Sequence, residues 1–133
     1  MFYKQFYSRS IGTKIVDIKG ERFKIVKTLM SIDNKAVMLE YLKYCSPKKG
    51  DDIIKKLKLK RLDLIKMNIE GAEIQALRGL KRTIMRFKPK IIVWANHSYN
   101  GEITDKKVKA LLKGLNYNLK TTKDLIVIAE PKK

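Results

Sequence analysis

The sequence predicts an α/β fold with a mixed sheet, an N-terminal β-hairpin and a C-terminal antiparallel hairpin. Three observations carry that expectation. Leu62, Leu64, Ile65 and Met67 make an apolar run of strand length, and the polar cluster after them stops the run and opens a helical pattern that reaches Gly79. Pro89 closes the helical stretch, and the nearly unbroken apolar segment 90–95 returns as a second parallel strand, apolar enough to be covered on both faces. Near both ends of the chain, apolar and polar residues alternate around turn residues, which is the signature of hairpins.

In chain order, Ile15, Val16 and Ile18 precede the turn Lys19-Gly20-Glu21, and Phe23, Ile25 and Val26 follow it, giving the first hairpin. From Ser31 to Cys45 the period changes. Ala36, Val37, Leu39, Tyr41 and Leu42 are spaced for a helix, with Asp33 or Asn34 near its start. Ser46-Pro47-Lys48-Lys49-Gly50 then breaks the pattern as a loop. After the strand at Leu62, the residues Leu77, Leu80, Ile84 and Phe87 recur as the inner face of a helix, while Arg78, Arg82 and Arg86, with Lys81 beside them, form an outward basic stripe. A last helix runs from about Thr104 to Lys113, with Gly114 as its stop. Residues 117–120 and 125–129 then flank Thr121-Thr122-Lys123-Asp124 as the closing hairpin. The organisation expected is a hairpin and helix over residues 1–50 and an α/β unit over 51–133, together one compact domain. The sheet would hold about four strands beside the N-terminal hairpin.

Composition narrows the classes. At 133 residues, 44% hydrophobic and 33% charged, the chain can bury a core, and it has no apolar run near the roughly 20 residues of a membrane span. The N-terminus lacks the apolar segment and cleavage site of a secretion signal, so the expected location is cytoplasmic, with no membrane partner. One cysteine, Cys45, excludes an internal disulfide; with one histidine, His97, no zinc-type ligand set can be assembled, and no metal is expected. The 31 basic residues outnumber the 13 acidic ones, for a net charge of +18. They are spread over the chain and are mostly lysine, whereas readers of phosphate and bases use arginine forks in clustered stripes. Nucleic acid is therefore expected only as a non-specific partner at low salt.

In an open α/β sheet, ligands sit in the crevice outside the carboxyl ends of the strands. Asn68 and Glu70 fall at that edge after the first parallel strand. Gly71 lets the backbone turn sharply, and Glu73 lies in the first helical turn, where a carboxylate suits the free N–H groups. Asn96 and His97 follow the second strand at the same edge. A histidine there can act as a general base toward a hydroxyl, since its ordinary pKa near 6.5 suits proton transfer at neutral pH. Each residue also has a plainer reading: Asn68 caps the helix, Glu73 answers its dipole, Glu70 is solvated and His97 makes surface hydrogen bonds.

The stretch Asp63-Leu64-Ile65-Lys66-Met67-Asn68-Ile69-Glu70-Gly71-Ala72-Glu73, then Leu77-Arg78-Gly79, then Pro89 before Ile91-Ile92-Val93, resembles the signature of FkbM-type methyltransferases. The likeness runs from about Asp51 to the C-terminus. It departs at Asn68, where the family pattern has aspartate, and at Trp94 or Ala95, where a glutamate often stands. The resemblance implies a partial Rossmann-like methyltransferase fold and S-adenosylmethionine as cofactor. The implied reaction is O-methyl transfer to a hydroxyl of a sugar or other small metabolite. It implies Glu70 and His97 as catalytic residues and Asn68, Glu73 and Asn96 facing the substrate. No Gly-x-Gly-x-x-Gly loop exists in the chain; Asp17-Ile18-Lys19-Gly20 has one glycine and lies in a hairpin pattern. By comparison with the family, Lys48-Lys49-Gly50-Asp51 runs straight into the segment before the signature strand, as if the middle of the fold were missing. That implies a truncated member, weak or inactive alone, with an exposed strand edge beside the gap and a homodimer or complementing chain to complete the cofactor site. The alternative is a catalytically silent remnant or a basic module that binds nucleic acid or a protein partner.

Overall fold

The computed structural model describes residues 10–18, 21–31, 34–41, 50–68, 71–99 and 101–133, the first three stretches as backbone only. The elements are β1 (Ser10–Ile18), β2 (Glu21–Ser31), β3 (Asn34–Tyr41), α1 (Gly50–Leu57), β4 (Leu64–Met67), α2 (Glu73–Gly79), α3 (Lys81–Phe87) and β5 (Lys90–Trp94). They continue with β6 (Ser98–Tyr99), β7 (Glu102–Ile103), α4 (Asp105–Gly114), β8 (Tyr117–Thr121) and β9 (Ile126–Pro131). Seven strands form one sheet in the order β1-β2-β3-β4-β5-β9-β8, and β6 and β7 make a separate small ribbon. β3, β4 and β5 run parallel in the centre, and antiparallel pairs flank them on both sides. The fold is α/β with a mixed sheet.

Several local expectations hold. The β1–β2 hairpin pairs Ile18 with Glu21 and Asp17 with Arg22, which makes the Asp17-Ile18 segment a strand end and not a cofactor loop. β4, α2, α3 and β5 form the strand, helix and parallel-strand unit read from residues 62–95, with one break in the helical stretch at Leu80. The closing hairpin is β8–β9.

The segment expected as a helix between Ser31 and Cys45 is instead β3 over Asn34–Tyr41, so the N-terminal region is a three-stranded meander and not a hairpin plus helix. The same residues fit both periods: Val37, Leu39 and Tyr41 alternate as well as they follow a helical stripe. Pairing decided between them, because β3 joins β2 on one side and β4 on the other and its backbone groups are met by two neighbours. Two further corrections follow from β3. Among the described residues the sheet has seven strands, because β3 joins the four expected strands and the hairpin pair, and it fills the edge of β4 that was expected to be open. Among the described strands, β1 and β8 are the outermost of the sheet. At the end of α4, Asn116 and not Gly114 takes the left-handed backbone, at φ 69°. Asparagine is among the few residues that visit that region readily.

The core lies between the helices and one face of the sheet. Ile65 and Met67 of β4, Ile91 and Val93 of β5, and Val127 and Ala129 of β9 alternate onto that face, where they meet Ile54, Leu77, Leu80, Ile84 and Leu112 from the four helices. Leu64 and Ile92 fall on the opposite face and are buried too, in keeping with strands covered on both sides. Burying each such side chain contributes about 2 kcal/mol. An exposed pair such as Lys90 with Glu130, 3.5 Å apart, contributes well under about 1 kcal/mol, so apolar packing and not ion pairing holds the layers together.

One polar contact fixes the helices relative to one another. Asp51, in the first turn of α1, accepts from the Arg82 N–H at 3.1 Å and from the Thr83 N–H and hydroxyl at 2.9 and 2.7 Å. It thereby caps α3, whose own N-cap residue, Leu80, has no side chain able to do so. Asp51→Ala is expected to cost about 1–2 kcal/mol, read as a lower midpoint in urea with an unchanged slope. An unchanged midpoint would show the cap to be replaced by water. Among the described residues, no helix is long and apolar enough to cross a membrane.

Candidate functional site

The site grows from the end of β4. Gly71 follows that strand with φ 102°, a left-handed backbone that only glycine adopts without strain, and it turns the chain so that α2 can begin at Glu73. The Gly71 N–H donates to Glu73 Oε2 at 2.9 Å. Glu73 is fully buried, with 0% of its surface exposed, in a position where an unpartnered carboxylate would be very costly.

Its partners come from the far side of the next parallel strand. Three residues after β5, His97 brings Nδ1 to 3.2 Å from Glu73 Oε1, and the Thr104 hydroxyl donates to the same oxygen at 3.3 Å. The Thr104 backbone N–H donates in turn to the His97 carbonyl at 2.9 Å, which closes the ring of contacts. Thr104 occupies the N-cap position of α4, where its hydroxyl would ordinarily bond that helix, yet it makes no side-chain cap bond there. Its hydroxyl serves the carboxylate instead. The small β6–β7 ribbon lies between His97 and Thr104 in sequence and pairs Ser98 with Ile103, which returns the chain to the site.

Because an ionised carboxylate only accepts, its bond to His97 is satisfied when Nδ1 carries the proton. Nε2 then keeps its lone pair. The imidazole is partly open, its side chain 23% exposed, against none for Glu73. A buried carboxylate that orients a partly exposed imidazole can present a base to a molecule arriving at the sheet edge.

Of the residues expected to form the site, the structure brings Glu73 and His97 into contact. Asn68 and Asn96 are exposed and follow the paired strands β4 and β5, so they stand on the same edge of the sheet. Glu70 lies outside the described residues. Sequence reasoning missed Thr104, whose position before a helical pattern is fully explained as a cap; Gly71 was read as a sharp turn or a close approach, and not as a donor to Glu73. The one available hint was that a threonine cap and a turn glycine flank the two titratable residues on the same edge.

Among the described residues, no group of three or more histidine, cysteine or acidic side chains is placed to hold a metal ion. Nor do the described residues at the edge offer a backbone cradle for a cofactor. Gly71 spends its N–H on Glu73, and Gly101, the other glycine with positive φ, is exposed with open space where a Cβ would sit. On the described residues, the donor set does not fit the methionine end of S-adenosylmethionine.

A family model described as the methyltransferase FkbM domain matches residues 12–119. The match reaches upstream of Asp51 through the N-terminal strands and ends at Leu119, short of the C-terminus to which the likeness was read. No curated protein matches the chain, and no solved structure does. The family model spans the meander, the parallel centre of the sheet and the edge that carries Glu73 and His97. This chain belongs to the FkbM methyltransferase family.

Proposed function

We propose that the chain is the acceptor-binding part of an S-adenosylmethionine-dependent O-methyltransferase, in which a homodimer completes the cofactor site. Acceptors are small metabolites or sugars that carry a free hydroxyl. The parallel strands β3, β4 and β5 are the retained centre of a Rossmann-like sheet in this reading, and the chain is a truncated member, weak alone. The observation that carries the proposal is the Glu73–His97 contact at 3.2 Å, at the edge of the sheet where ligands of α/β folds bind.

Each residue has a part. Glu73 holds the imidazole with Nδ1 protonated, Thr104 and Gly71 hold Glu73, and His97 Nε2 takes the proton of the acceptor hydroxyl. Asn68 and Asn96, exposed on the same edge, hydrogen-bond the acceptor's other hydroxyls. Glu70 is the second candidate base. A cofactor held across the dimer would supply an electrophilic methyl group. Partners are the acceptor and a second copy of the chain; nucleic acid is met only through charge.

Calorimetric titration of the purified protein with S-adenosylhomocysteine, with its mass in solution measured alongside, tests the proposal. Saturable binding near one site per chain is expected at concentrations where the mass is that of a dimer. Binding by the monomer would remove the need for a second copy. A folded protein that binds nothing up to millimolar ligand at any mass would instead leave a catalytically silent remnant or a basic binding module.

A further inference from the structure

α2 and α4 pack side by side on the helical side of the sheet and leave a groove of about 530 Å³ between them. Leu111 and Leu115, with the buried Leu77 beneath them, supply its apolar surface, and Arg78, Lys81 and Lys107 also line it. Among the described residues, no acidic side chain lines it. The three cations are exposed, and none of them is in an ion pair among the described residues. An apolar trough rimmed by one sign of charge is complementary to a molecule with an apolar body and an opposite charge at its head.

We propose that this groove binds a single-chain amphiphilic carboxylate. Its chain lies along Leu77, Leu111 and Leu115, and its head group sits among Arg78, Lys81 and Lys107, where the arginine can hold a carboxylate through two parallel hydrogen bonds. Size favours such an occupant. The volume falls within the roughly 300–1,000 Å³ of small-ligand sites, whereas a stable protein interface engages about 20–30 residues a side and this groove offers eight. A second copy is disfavoured in this groove as well, because it brings the same basic rim. The inference stands apart from the methyl-transfer reading, since it uses none of Glu73, His97 or Thr104.

The test is a titration of the full chain with decanoate below its micelle concentration, in parallel with decyltrimethylammonium and inorganic phosphate. Saturable binding at one site per chain is expected, with decanoate at least tenfold tighter than either comparison compound. Gly114 provides the decisive variant. A Cβ there meets nothing within 4 Å and the backbone is not left-handed, so the indole of Gly114→Trp can enter the groove. A tenfold or greater weakening is expected, and Ala110→Trp, an exposed lining residue one turn earlier, reports the same if the first variant does not fold. Reversing Arg78 and Lys107 together to glutamate should weaken decanoate about tenfold at low salt, because two attractions to the head group become repulsions. Equal binding of phosphate would reduce the groove to a plain anion site, and equal binding of the cationic amphiphile to a merely apolar surface. Folded tryptophan variants with unchanged affinity would place decanoate elsewhere. Displacement of decanoate by an acidic amphipathic peptide of higher affinity, or a doubled mass abolished by Gly114→Trp, would assign the groove to a protein helix or a second copy and overturn the proposal.

Discussion

Replacing Glu73 with alanine should lower stability by about 3 kcal/mol, the largest effect expected of any single polar substitution here. The carboxylate has no exposed surface and receives the Gly71 N–H, the Thr104 hydroxyl and the His97 imidazole. Truncation leaves the Gly71 N–H and the Thr104 hydroxyl without acceptors and opens a small void. Each stranded buried donor costs about 1–3 kcal/mol, and water entering from the His97 side recovers part of it. In a domain this size the loss corresponds to a fall in Tm of roughly 10 °C. A fall of less than about 3 °C would mean that the carboxylate is not buried in solution. Glu73→Gln keeps the volume and tests the orienting role directly. Because His97 is the one histidine in the chain, its ring nitrogens are the only imidazole signals in a nitrogen NMR spectrum. The native protein should show the Nδ1–H form, and the glutamine variant should move toward the Nε2–H form that a free imidazole prefers. The same tautomer mixture in both proteins would refute the role given to Glu73.

Tyr117→Phe should cost about 2 kcal/mol at neutral pH, a cost that shrinks steadily once the pH passes 10. The ring is almost fully buried at the start of β8, and its hydroxyl donates to the Pro89 carbonyl at 2.6 Å, which ties the closing hairpin to the residue that precedes β5. Phenylalanine keeps the packing and strands that carbonyl. Burial pushes the phenol's pKa well above its ordinary value of 10.0. The folded protein therefore keeps a proton that the unfolded chain gives up, so Tyr117's contribution is whole below pH 10 and drains away as the pH climbs toward the folded value. Its slope approaches about 1.4 kcal/mol per pH unit. Lysines titrate in the same range, but they are common to both proteins, so the difference between the two urea midpoints isolates Tyr117. A difference that stayed constant from pH 7 to pH 11 would contradict this account.

The elements that sequence reasoning located are those whose signal is confined to a few neighbouring residues. The apolar run at Leu64, the turn at Gly71, the helical spacing of Leu77, Leu80 and Ile84, and the alternation around residues 121–124 each state a period or a turn preference within about a dozen positions. β3 failed that test because its residues satisfy two periods at once, and only its place between β2 and β4 selects the strand. At the site, the titratable residues were visible because they follow strands, whereas their supports were not. Thr104 and Gly71 have sufficient local explanations as a cap and a turn, and nothing in their neighbourhood announces a second task.

The amino-acid sequence by itself determined the α/β class, the strand, turn and helix around Gly71, the hairpins at both ends, the strong positive charge and the family likeness. All of these rest on short-range preference or on composition. The tertiary structure alone decided the seven-stranded order, the capping of α3 by Asp51, and the meeting of Glu73 with His97 and Thr104. Those contacts join residues 32, 24 and 31 positions apart. Periodicity along a chain says which face a side chain occupies and is silent on which distant face it meets. That choice is made by the order in which the strands pair, which brings the carboxyl ends of β4 and β5 side by side.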